Sequence, residues 1–61
     1  MKAYFDIPDK RQTIEVTYED NVTDLAEQNV KTKEAISKMM NSKVRCISRK
    51  EYIKLTKKYT A

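Results

Sequence analysis

Ten of the thirteen lysines and arginines lie in residues 31–61, where only Glu34 and Glu51 oppose them. Nine of these cations make up the candidate site: Lys33, Lys38, Lys43, Arg45, Arg49, Lys50, Lys54, Lys57 and Lys58. The chemistry open to such a set is neutralisation of phosphates, the main source of nucleic-acid affinity. Most of the nine are lysines, which offer a point charge instead of the forked guanidinium that reads guanine edges. Residues 1–30 carry three cations against seven carboxylates, a net −4 that faces a net +8 in the second half. The acidic half therefore cannot absorb all of the positive charge. The competing explanation is a lysine-rich solvated face kept for solubility.

Other chemistries lack their parts. The chain contains no histidine, glycine or tryptophan and a single cysteine. A P-loop or dinucleotide fingerprint needs glycine where backbone meets phosphate, so both are excluded. A zinc site would have to be built almost wholly from carboxylates, and an internal disulfide is impossible. No histidine is present to activate Cys46, which reads as a small buried hydrophobe. Asp6, Asp9, Glu15, Glu19, Asp20 and Asp24 read as solvated strand edges and helix caps rather than an acid–base pair. The chain is expected not to be an enzyme and to need no cofactor or metal. No apolar run approaches the ~20 residues of a membrane span, and the amino terminus lacks a signal-peptide core. The expected location is the cytoplasm, with no membrane partner.

The elements that must position these cations follow from periodicity. Phe5 and Ile7 alternate with Tyr4 and Asp6, and Ile14, Val16 and Tyr18 alternate with Thr13, Glu15 and Thr17. Both runs have the period of a strand, and Pro8-Asp9-Lys10-Arg11 between them has turn chemistry. Residues 2–18 are thus expected to form a hairpin, with Thr13, Glu15 and Thr17 facing solvent. Asp20 or Asn21 is a candidate cap for a helix carrying Val22, Leu25 and Ala26. A single helix to Asn41 would place Asn29 and Lys33 in its apolar stripe, so a break near Asn29 is expected. A second helix would then start with Thr32 as its cap and turn Ile36, Met39 and Met40 inward. Val44 to Ile47 is strand-like, with Val44 and Cys46 on one face. Ser48 and Glu51 have the spacing of a capping box, and Ile47 and Tyr52 stand at its staple positions. The last helix should turn Tyr52, Leu55 and Tyr59 inward, with Lys50, Lys54, Lys57 and Lys58 on its other side.

Residues 24–41, DLAEQNVKTKEAISKMMN, resemble the helix–turn–helix element of small repressors. The resemblance puts Leu25 and Ala26 on the first helix, Val30 in the turn, and Thr32 to Met40 on the recognition helix. It implies base contacts from Lys31, Thr32, Lys33 and Ser37. The turn is about a residue short, and Asn29 replaces the usual small residue. In style, the compact glycine-free chain also resembles small phage or mobile-element accessory proteins.

The fold expected is α+β: one small domain over residues 1–61, with a hairpin and a third strand in an antiparallel or mixed sheet, packed against two or three helices. The function expected is that of a small basic nucleic-acid-binding or regulatory protein, with DNA favoured over RNA. The alternative is a protein-interaction module or inhibitor, working through an exposed strand edge or self-association.

Overall fold

The structure is a computed structural model that describes residues 1–19 and 23–61. The candidate caps Asp20 and Asn21, and Val22 with them, lie outside the described residues. Three strands form one antiparallel sheet in the order β2-β1-β3: β1 Lys2–Ile7, β2 Gln12–Thr17 and β3 Arg45–Ile47. Two helices, α1 Leu25–Met40 and α2 Arg49–Thr60, complete an α+β domain.

The alternation in β1 decides the layers. Ala3, Phe5 and Ile7 point to one face, where they form the core with Tyr18, Ile36 of α1 and Val44. Ile14, Val16, Leu25 and Met40 close its margins. Phe5 and Ile7 are completely buried, and each such side chain is worth roughly 1.5–3 kcal/mol of transfer free energy. Tyr4 and Asp6 point to the opposite face, and α2 covers them: the Tyr4 and Tyr52 rings lie 4.8 Å apart, and the Tyr59 hydroxyl donates to Asp6 at 2.8 Å. The sheet is thus held between α1 and α2, with the apolar core on the α1 side.

This arrangement changes the environment of Thr13. It stands opposite Asp6 on the α2 side, and its hydroxyl meets that of Thr56 at 2.8 Å. The Thr56 hydroxyl proton is already given to the Tyr52 carbonyl at 2.6 Å. Since a hydroxyl has one proton, Thr13 is the donor. The expectation of a solvent-facing β2 surface fails at Thr13 because α2 packs there.

Pro8–Lys10 forms a single turn of 3-10 helix between β1 and β2, and Arg11 closes it with φ 50° and its N–H on the Pro8 carbonyl. Asn41 ends α1 in the same left-handed region, with φ 51°. In a chain with no glycine, the second of these two positions falls to a residue type that tolerates it.

The expected break at Asn29 does not occur: α1 is continuous for 16 residues. Asp24 caps it, accepting from the Glu27 N–H at 3.0 Å, and Thr32 sits inside it. The Tyr18 hydroxyl donates to Thr32 at 3.0 Å, so one polar residue of the inner stripe acquires a partner from β2's end. Asn29 is half-buried, and its Oδ1 has no partner among the described residues. Met39 points outward and is 76% exposed, while Ile36 and Met40 turn in as expected. Cys46 is exposed, not buried. It lies opposite Phe5 on a three-residue edge strand, where a neighbour strand is present on one side only.

Candidate nucleic-acid interface

The start of α2 follows its local signals. The Ser48 hydroxyl accepts from the Glu51 N–H at 3.2 Å, and Ile47 and Tyr52 are both half-buried beside it. Tyr52, Leu55, Thr56 and Tyr59 face the sheet, which leaves Lys50, Lys54, Lys57 and Lys58 exposed. On the other side of the sheet, α1 presents Lys33 and Lys38, and the connection to β3 presents Lys43.

Most of these cations line one of two clefts that share a residue of β3. A cleft of about 430 Å³ between α1 and β3 is lined by Lys33, Glu34, Ser37, Lys38, Lys43, Val44 and Arg45. A second, of about 300 Å³, is lined by Arg45, Glu51, Lys54, Leu55 and Lys58. Arg45 belongs to both, so β3 carries the residue that the two clefts share. Six of the nine candidate residues line these clefts. Arg49, Lys50 and Lys57 are exposed on α2 and line neither.

Arg45 differs from the other eight. Its Nη2 and Nε donate to the same Asp6 carboxylate oxygen, at 2.7 and 3.2 Å. It is the one member of the nine with an ion pair among the described residues. Lys2 and Lys31, outside the set, are paired with Glu15 and Glu27. The lysines of the two clefts therefore keep their charge uncompensated at ion-pair distance within the described residues.

Asp6 is the residue that sequence reasoning misplaced most. It is not a solvated strand edge but a fully buried carboxylate, 0% exposed. One oxygen receives Arg45 from β3 and the other receives the Tyr59 hydroxyl from α2. Arg11 was not in the set either. It stacks over the Tyr59 ring at 5.2 Å and donates to the Lys58 carbonyl at 3.5 Å, a cation at the negative end of α2. No local signal marks either residue. Both depend on which segments become neighbours across 39 or more positions of chain.

The hydrogen bond to Asp6, and then that residue's charge, hold the Arg45 guanidinium above its ordinary value, so it stays ionised throughout. Tyr59 is raised above 10.0, first by its hydrogen bond to Asp6, then by burial and the carboxylate charge; Arg45 and Arg11 pull the other way. A raised folded-state value favours the neutral phenol. Its stabilisation is complete below the ordinary value of 10.0 and lost as pH rises through the folded value. The thermal midpoint of the wild type is expected to exceed that of Tyr59→Phe by a constant margin from neutrality to about pH 9, and the margin to shrink above about pH 10. A margin unchanged at the alkaline end would show that the phenol proton on Asp6 contributes nothing.

The helix–turn–helix resemblance does not survive the geometry, since Leu25–Met40 is one helix with no turn in it. Lys33 and Ser37 remain near each other, but on a cleft wall beside β3. Among the described residues no group of three His, Cys, Asp or Glu side chains is placed to hold a metal ion. No helix among them is long and apolar enough to cross a membrane. In comparison with known proteins, the chain matches no family model, no curated protein and no solved structure.

Proposed function

We propose that this chain is a small cytoplasmic nucleic-acid-binding or regulatory protein, and that it grips phosphates at the β3 edge of its sheet. The observation that carries this reading is the convergence of Lys33, Lys38, Lys43 and Arg45 on one cleft from α1, the connection after it and β3. Lys54 and Lys58 extend the positive surface on the other side of Arg45. Phosphates attract such a surface regardless of sequence, and binding gains free energy by releasing the counterions condensed on the nucleic acid. In this reading the protein works by binding and not by catalysis, with DNA its preferred partner over RNA. A second reading rests on β2, a six-residue strand at the other edge of the sheet and a template for strand addition by a protein partner.

Titration of labelled DNA and RNA over increasing salt separates them. The expected result is log affinity falling linearly with log salt, with a slope near −0.9 for each phosphate neutralised on duplex DNA. No binding at low salt, or affinity indifferent to salt, overturns the phosphate reading. Capture of one protein partner that survives nuclease treatment would favour the β2 edge instead.

A further inference from the structure

The way the aromatic rings and the cleft guanidinium are used says which form of nucleic acid the β3 surface fits. Resting on the phosphate-binding reading, we infer that the partner is double-stranded nucleic acid, gripped without regard to base sequence. Proteins that hold single strands combine a cationic track with aromatic side chains on which successive bases stack. Here the chain has four tyrosines and one phenylalanine, and the fold uses all of them. Phe5 and Tyr18 are buried in the core. Tyr4 and Tyr52 pack on each other between sheet and α2. Tyr59 is bound to Asp6 and covered by Arg11. None lines either cationic cleft around β3.

Base reading in a groove has the same deficit. The side chain suited to guanine is a guanidinium with both forks free. The one guanidinium in the clefts, Arg45, already spends Nε and Nη2 on Asp6. What remains is a set of lysine ammonium groups, which suit phosphates and distinguish bases poorly. A duplex presents those phosphates on a stiff frame at higher charge density than a single strand. The counterion slopes are about −0.9 and −0.7 per contact. For about five contacts the slopes differ by about one, which amounts to about tenfold in affinity at 0.1 M salt.

The test is fluorescence anisotropy of the whole chain against three labelled probes of equal length: a duplex, a duplex of scrambled sequence, and oligothymidylate. The two duplexes are expected to bind within about twofold of each other and about tenfold tighter than the single strand. Equal or tighter binding of oligothymidylate, or a preference of about tenfold or more for one duplex, overturns this inference and leaves phosphate binding standing. Failure to bind any of the three probes overturns the phosphate-binding reading itself, and duplex preference with it.

Discussion

Replacing Arg45 with methionine is expected to lower the thermal midpoint further than replacing its partner Asp6 with asparagine. The two ends of this ion pair sit in different surroundings. The Asp6 side chain is 1% exposed and that of Arg45 58% exposed. Removing the guanidinium leaves a buried carboxylate with the Tyr59 hydroxyl as its remaining partner. Stripping a counter-charge from a buried group is far more costly than losing the pair as a whole. Removing the carboxylate instead leaves a guanidinium that can turn to water, and asparagine still offers an oxygen to Tyr59. The double variant Asp6→Asn with Arg45→Met is then expected to melt above Arg45→Met alone, because the stranded charge has gone. A chain of 61 residues has a total stability of only about 3–9 kcal/mol. A defect between β1, β3 and α2 is a large fraction of that. Circular dichroism melts of the three variants check the order. An Arg45→Met midpoint indistinguishable from the wild type would mean that the pair behaves as an exposed one, with solvent screening out its contribution.

That asymmetry also marks how far the fold and site were legible in the sequence. Local signals placed the hairpin, the Ser48 cap and the inward stripe of α2, since each depends on residues within a few positions. The α+β class followed from them. What failed was everything set by contacts between distant segments. Thr13 looked solvent-facing because α2, more than 40 positions later, is what covers it. Asn29 and Lys33 pointed to a break because one continuous helix was expected to hold both in its apolar stripe. Lys33 is exposed instead, and the inward polar place goes to Thr32, whose partner, the Tyr18 hydroxyl, comes from another element. Asp6 looked solvated because its register against Arg45 is a property of the sheet. The site was legible as an excess of charge but not as a place. Periodicity put lysines on exposed faces of α1 and α2. It contained nothing to say that Lys33, Lys38 and Lys43 would share a cleft while Arg49, Lys50 and Lys57 would not.

The distinction between excess and place is open to a matched pair of variants. Lys33→Gln, Lys38→Gln and Lys43→Gln together lower the net charge from +4 to +1. So do Arg49→Gln, Lys50→Gln and Lys57→Gln together. All six side chains are exposed and none has an ion pair among the described residues. Each triple variant is therefore expected to fold, with each surface substitution costing about 0.5 kcal/mol or less. Binding to duplex DNA is expected to separate them. If the three cleft lysines each neutralise a phosphate, their loss reduces the salt slope by about three and weakens binding by about 10²–10³-fold at 0.1 M salt. The second triple removes the same charge from α2 positions that line neither cleft. On a phosphate seated in the cleft of Lys33, Lys38 and Lys43 these charges act through the field, which salt screens, and not by contact, so the loss should be smaller. Equal losses in the two variants would mean that net charge alone governs the affinity. The cleft would then have no special part in it, because a localised contact and a diffuse charge differ in whether position matters.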